Sequence, residues 1–208
     1  MKIFTDFDDT IFNTKRFKND FVKVFNKNGI SKEEFNRTYY NHSIREVGGY
    51  DFEKQLELIN WPSEFSRKKA IQDFKELIDG LNGYVFEDFY SFVKKFDREN
   101  LFLISFGDSD FKNLKIKKSG VAQYFKEYKV VKEEGKGVFI KNCALEREKL
   151  FLIDDRPEQL RIAKEEVPQL VPIRIKRKEG RYNNLEGDLN VFTSKSLKEA
   201  EEIIMNNI

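Results

Sequence analysis

After about residue 85 the chain alternates short, wholly apolar runs with amphipathic stretches. Leu101-Phe102-Leu103-Ile104 ends at Ser105, a weaker run covers Tyr128 to Val131, and Leu150-Phe151-Leu152-Ile153 ends at Asp154-Asp155. Leu170 to Ile175 and Val191-Phe192 follow as candidate later strands, and Met1, Ile3 and Phe4 read as a first strand. Runs this short, with no polar alternation, suit a parallel sheet covered on both faces. Helical spacing fills the gaps: Phe111, Leu114, Lys115 and Lys118 on one segment, Leu160 with Ala163 on another. Alternation of strand and helix predicts an α/β, doubly wound sheet.

The segment from 13 to 81 breaks this pattern, because it holds no convincing strand. Phe17, Phe21, Val24 and Phe25 have helical spacing, and Asn28-Gly29 supplies a stop. Ser31 followed by Glu34 has the capping-box form that opens a second helix. Phe52, Leu56 and Ile59 mark a third, ended by Trp61-Pro62. Phe65, Ile71, Phe74 and Ile78 mark a fourth, closed by turn signals at Asp79-Gly80 and Asn82-Gly83. The expected division is a core of residues 1–12 and 82–208, with an all-helical insert, 13–81, between the first and second strands.

Composition narrows the class. The 208 residues include 21 Phe, so aromatic packing should dominate the core, while 36% charged residues leave a well-solvated surface. A net charge of only +2, with acids and bases interspersed, lacks the basic stripe of a nucleic-acid binder, and Lys176-Arg177-Lys178 reads as a solvated loop. The lone Cys143 excludes a disulfide framework or thiolate metal site within one chain, and reads as a small buried hydrophobe on a helix. The first strand begins at residue 1, leaving no room for a signal peptide, and no apolar run approaches membrane-spanning length. The expected location is therefore the cytoplasm, with neither membrane nor nucleic acid as partner.

Candidate chemistry is concentrated where the first strand stops, at Asp6-Phe7-Asp8-Asp9-Thr10. Three acidic side chains within four positions repel one another, and no cation lies close by in sequence; if partly buried, they need a positive partner. A divalent cation that prefers hard oxygen ligands, magnesium, meets that need, and phosphate chemistry goes with it. Taken alone, these residues also fit an acidic turn or a helix cap. A calcium loop of the EF-hand kind is excluded: counting from Asp6, the sixth position is Ile11 rather than Gly and the twelfth is Phe17 rather than Glu. In an open parallel sheet, ligands bind beyond the carboxyl ends of the strands. Three candidate strands here end in suitable groups, at Asp6 and Asp8, at Ser105-Phe106-Gly107 and at Asp154-Asp155, and Lys136 lies ahead of the last between Gly135 and Gly137. Ser105 alone also reads as a strand-to-helix turn capped by Asp108 or Ser109, and one of Asp154 and Asp155 as the cap of a helix entered through Pro157.

Taken in order, Asp-x-Asp-x-Thr at Asp6 to Thr10, Ser-x-Gly at Ser105 to Gly107, the lysine at Lys136 and Asp-Asp at Asp154-Asp155 resemble the motifs of the haloacid dehalogenase (HAD) superfamily of phosphotransferases. The insert falls where members carry a helical cap. The resemblance implies a Rossmann-like, three-layer core whose active site is reached past that cap. It implies Asp6 as a nucleophile that attacks phosphorus in line and forms an aspartyl-phosphate. Asp8 would protonate the leaving oxygen and later take a proton from water, a task suited to a raised pKa such as a crowd of neighbouring acids supplies. Magnesium, the implied cofactor, would take Asp6, the backbone carbonyl of Asp8 and one or both of Asp154 and Asp155. Thr10, Ser105, Phe106 and Gly107 would contact the phosphate, with Lys136, or Lys132 four residues earlier, balancing its charge and orienting Asp6.

Asp8 sets the chain apart from the dehalogenase branch, whose halide leaving group needs no proton. None of Lys15, Lys18 and Lys23 stands out as the Schiff-base lysine that the phosphonate-cleaving branch takes from its cap. The expected function is a magnesium-dependent phosphatase acting on a small phosphate monoester. A phosphomutase on the same scaffold and a non-catalytic binding protein that keeps the fold are the alternatives. A capped site points to a small phosphorylated metabolite as partner, with Arg37, Tyr39, Tyr40, Arg45 and Tyr50 as candidate cap contacts and Gly48-Gly49 as a cap bend. Asn13 and Thr14 should sit where core and cap meet, and His42, in a polar stretch, reads as solvated.

Overall fold

Wholly apolar strands bury both faces only inside a sheet clad by helices on each side, and the chain adopts that arrangement. The computed structural model describes residues 1–41, 50–107, 109–132, 135–145, 147–186 and 191–208. His42, Arg45, Gly48, Gly49 and Asp108 lie outside the described residues. Strands β1 (Lys2–Thr5), β2 (Leu101–Phe106), β3 (Glu127–Val131), β4 (Leu150–Asp154), β5 (Leu170–Ile175) and β6 (Phe192–Ser194) form one sheet, in the order β3-β2-β1-β4-β5-β6. Every neighbouring pair is parallel. Phe4 pairs with Phe102 on one side and Leu152 on the other, so β1 is central and buried throughout. The winding reverses between β1 and β4, and a doubly wound sheet opens its crevice at that point, beyond the strand ends. Asp6 directly follows β1, and Asp154 ends β4.

Between β1 and β2 come α1 (Thr14–Lys27), α2 (Lys32–Tyr39), α3 (Phe52–Leu58), α4 (Glu64–Asp79) and the short α5 (Asp88–Val93). The remaining connections hold α6 (Ser109–Lys118), α7 (Gly135–Cys143) and α8 (Pro157–Glu166), and α9 (Leu197–Met205) follows β6. Alternate strand residues serve opposite faces. Phe4, Phe102, Ile104, Leu150 and Leu152 pack with Ile140 of α7 and Leu160 and Ala163 of α8, while Ile3, Leu101, Leu103, Phe151 and Ile153 form the other face. That second face runs without a break into the helical insert through Phe12, Phe17, Phe21, Phe25, Phe35 and Phe74. Phe21 meets Phe25 and Phe35 edge to face, with ring centroids 5.3 and 5.2 Å apart. Such geometry adds to simple area burial.

Chain enters and leaves the insert through a narrow neck. Phe12 and Val85 form an antiparallel bridge, Asn13 N–H donates to Tyr84 O at 2.8 Å, and Phe86 N–H donates to Ile11 O at 2.9 Å. Asn13 caps α1 by accepting from Arg16 N–H. Ser31 caps α2 by accepting from Glu34 N–H, but the return half of the capping box is absent, because the Glu34 carboxylate binds Arg37 instead. Phe65 is not on the buried stripe of α4: it is 75% exposed, and Ala70, Phe74 and Ile78 form the stripe. Nine residues separate Phe65 from Phe74, which is two and a half helical turns and so opposite faces. Cys143 is half-buried at the end of α7 rather than buried in the core. Among the described residues no helix is long and apolar enough to cross a membrane.

Candidate active site

The residues after β1 fold into one tight loop. Asp6 N–H continues the sheet pattern to Ile153 O at 2.8 Å, Ile11 and Phe12 N–H both donate to Phe7 O, and Asp9 N–H donates to Phe12 O. Phe7 stacks on Phe12 with centroids 5.0 Å apart, both fully buried. With Phe7 turned into the core, Asp6 and Asp8 both line a small cavity of about 90 Å³, together with Phe106, Lys112, Lys136 and Asp155. Asp9 has a left-handed backbone, φ 56°, which Asp tolerates better than most residues. Its carboxylate accepts from Arg181 Nε at 2.5 Å.

Asp6, Asp154 and Asp155 offer carboxylate oxygens that lie within 4.8 Å of one another, all buried. Lys136 Nζ lies between Asp6 Oδ1 and Asp154 Oδ2, 2.5 Å from each. Burial alone would lower the lysine's pKa, but the Asp154 and Asp6 carboxylates hold it above its ordinary value. One ammonium does not offset three carboxylates. Burial, against the pull of Lys136 and with repulsion from Asp154, raises the Asp6 carboxyl to about 6. Burial and then the charges of Asp6, Asp154 and Asp9 raise Asp155 to about 9. Asp155 Oδ2 is buried and meets no hydrogen-bond partner among the described residues. A cluster of hard oxygens short of positive charge, with one oxygen orphaned, fits a divalent cation.

Asp8 departs from expectation. Burial would push its carboxyl up, but Lys112 and Lys115, with Arg181 beyond them, hold it well below the usual carboxylate range. Lys112 and Lys115 both donate to its oxygens, Lys115 from 2.5 Å, and Thr14 Oγ1 donates to Oδ1 at 2.9 Å. Against burial, it is the two lysines from α6 rather than the neighbouring acids that direct its titration. Lys115 is itself buried against the Phe12 ring, 4.8 Å from its centroid.

Of the other anticipated residues, Lys136 reaches the cluster and Lys132 is exposed. The Thr10 and Ser105 hydroxyls are buried without a hydrogen-bond partner among the described residues. Phe106 lines the small cavity beneath the Arg156 guanidinium, 5.4 Å away. Gly107 has φ 135°, and a Cβ there would stand 3.2 Å from Lys112 Cε, so glycine lets α6 bring Lys112 close. Asp154 Oδ1 accepts Arg156 N–H at 2.9 Å, so Asp154 both braces the turn into α8 and faces Lys136.

Sequence reasoning missed the cations. Lys112, Lys115 and Arg181 converge on the first motif from more than a hundred residues away. Arg177, in the run read as a solvated loop, is 7% exposed. It donates to Thr10 O at 2.8 Å and to both Asp88 oxygens at 2.7 and 2.9 Å, and so fastens the loop after β1 to α5. The spacing of Lys112 and Lys115, three apart on one helix, was the only local signal.

No family model matches the chain, and no curated protein does. Solved structures do match, and they give the chain the fold of the haloacid dehalogenase-like hydrolases. A protein assigned as a haloacid dehalogenase-like hydrolase from Burkholderia xenovorans superposes with a TM-score of 0.70 at 13% identity, over 98% of this chain and 96% of that one. The 2-haloacid dehalogenase of Pseudomonas syringae gives 0.63 at 15% identity over 100% of both chains. YfnB from Bacillus subtilis, assigned as a HAD hydrolase and solved with magnesium bound, gives 0.57 at 13% identity, over 98% of this chain and 97% of that one. Identities this low speak for the fold alone.

Proposed function

We propose that the chain is a magnesium-dependent phosphatase acting on a small phosphate monoester, with Asp6 as nucleophile and residues 13–81 as its cap. The observation that supports it most is the meeting of Asp6, Asp154 and Asp155 at the ends of β1 and β4, with Lys136 between two of them. Asp6, Asp154, Asp155 and the backbone carbonyl of Asp8 would hold the magnesium, which when bound supplies positive charge to the phosphoryl oxygens.

Asp6 attacks phosphorus, the bond to the leaving oxygen breaks, and an aspartyl-phosphate forms. Asp8 gives its proton to the leaving oxygen, then accepts one from the water that displaces orthophosphate from Asp6. Lys136 keeps Asp6 ionised and aimed. Lys112 borders the same small cavity, so an incoming phosphoryl group competes with Asp8 for its ammonium. That exchange loosens the hold on Asp8 and lets it bind a proton. The Ser105 and Thr10 hydroxyls, buried without a hydrogen-bond partner among the described residues, would donate to phosphoryl oxygens. Asp8 favours phosphoryl transfer over halide displacement, since a departing halide has no use for a proton donor.

The test is release of orthophosphate from a panel of small phosphate monoesters, with and without magnesium and with no sugar acceptor. Turnover that needs magnesium and is lost in Asp6→Asn supports the assignment. Turnover only on adding a sugar acceptor points to phosphoryl transfer between hydroxyls. Inactivity across the panel with magnesium present overturns the catalytic reading.

A further inference from the structure

A second, wider cavity of about 340 Å³ opens beside the first and shares Asp8, Lys112 and Arg181 with it. Its far wall comes from the helical insert, through Thr14, Phe17 and Lys18 of α1, Tyr39 of α2 and Tyr50. If the phosphoryl group occupies the small cavity, the alcohol part of the ester must lie in the wide one.

We infer that this alcohol part carries a second anionic group, and that Lys18 binds it; the inference rests on the phosphatase reading for where the phosphoryl group sits. Among the described residues four cations line the wide cavity, Lys18, Lys112, Lys115 and Arg181, against one carboxylate, Asp8. Three of them are already engaged near the phosphoryl end. Lys112 and Lys115 meet on Asp8, and Arg181 is anchored on Asp9. Lys112 and Arg181 also border the small cavity.

Lys18 is different. Its ammonium donates to the Tyr40 hydroxyl and lies 4.4 Å from the Tyr40 ring centroid and 5.3 Å from that of Tyr39. Among the described residues no carboxylate pairs with it. Half-buried and held by aromatic faces, it presents a positive charge on a part of the wide cavity's wall that the small cavity does not share. A neutral alcohol would shut that charge away from water unmatched, whereas an anion would pair with it by a charge-assisted hydrogen bond. Tyr50 links Tyr39 and Phe111 along the same wall, with centroids 5.0 and 4.7 Å away. The wall gives an apolar face for the body that joins the two anionic ends. The substrate class is thus an organic phosphate monoester bearing a carboxylate or a second phosphate on a compact, partly apolar body.

Non-hydrolysable phosphonates test this without relying on turnover. Intact protein with magnesium is titrated calorimetrically with phenylphosphonate, 4-carboxyphenylphosphonate and benzene-1,4-bisphosphonate. At least one doubly anionic ligand should bind about tenfold more tightly than phenylphosphonate, the worth of one charge-assisted hydrogen bond. Which one does so tells a carboxylate from a second phosphate. Lys18→Gln should shrink the advantage to about twofold or less, and Lys18→Glu should reverse it, while Lys23→Gln on the exposed side of α1 keeps it. Equal affinity for all three ligands, or an advantage that survives Lys18→Gln, overturns the inference. Turnover of the matching esters separates the two readings. Charge-selective phosphonate binding without phosphate release sinks the phosphatase assignment alone, and phosphate release without charge preference sinks the role of Lys18 alone.

Discussion

Asp6 has two carboxylates and one ammonium for company, and burial already raises its carboxyl to about 6. Replacing it by Asn keeps the shape and removes one charge from a crowded set, so Asp6→Asn should abolish phosphate release while the melting temperature of the metal-free protein stays level or rises. Retained turnover would remove Asp6 as nucleophile, and a fall of several degrees would show that its charge stabilises the fold. Asp8 behaves in the opposite sense, since Lys112 and Lys115 hold it ionised. Lys112→Ala should let its pKa rise. With a poor leaving group, where the proton matters most, the alkaline fall-off of kcat/KM should then move to higher pH, even as the absolute rate drops. A pH–rate profile with an unmoved limb would mean that Asp8 is not the acid.

Elements reach this site because one side chain ties several of them together. Arg177, just past β5, holds the carbonyl of Thr10 and both oxygens of Asp88, and Asp88 also accepts from Leu197 N–H at the start of α9. Breaking a buried ion pair costs about 3–5 kcal/mol, and the partial exposure of Asp88 places Arg177→Ala near the lower end. For a chain of this size such a loss corresponds to a melting point roughly 6–12 °C lower. Thermal unfolding checks it; a shift of a degree or two would mean that Arg177 is dispensable. Nothing local announced this residue. The strands were legible because Leu101 to Ile104 and Leu150 to Ile153 are apolar without interruption, and the acidic motifs because they sit where those runs stop. Lys136 was legible because it stands between two glycines ahead of β4, in the position the resemblance requires. Lys112, Lys115, Arg177 and Arg181 were not, because in a chain with 38 Lys and Arg the few that meet the first motif are selected by tertiary approach. Phe65 failed for the converse reason: it has the residue type of a core position on the wrong face of its helix.

At the scale of the whole molecule, the site sets how stability responds to pH. Asp6 and Asp155 have folded-state values of about 6 and about 9, above the ordinary 3.8. Between 3.8 and about 9 these two groups therefore bind more protons in the folded protein than in the unfolded chain, and their contribution makes stability fall as pH rises through that window. Asp8 works in the other direction: its lowered value contributes stability at neutral pH that is lost as the solution is acidified below its unfolded value. The metal-free protein should thus be most stable in mild acid, with a decline on the alkaline side caused by the unmatched carboxylates. Magnesium bound by those ionised carboxylates would compete with the protons and stabilise the folded state by mass action, about 2.7 kcal/mol at a hundredfold excess over its dissociation constant. The rise in melting temperature on adding magnesium should accordingly be larger at about pH 8 than at about pH 5, and should shrink in Asp155→Asn. Scanning calorimetry across that range, with a chelator as control, measures it. A magnesium effect that is absent, or that does not change with pH, would mean that the three carboxylates at the ends of β1 and β4 do not share a cation.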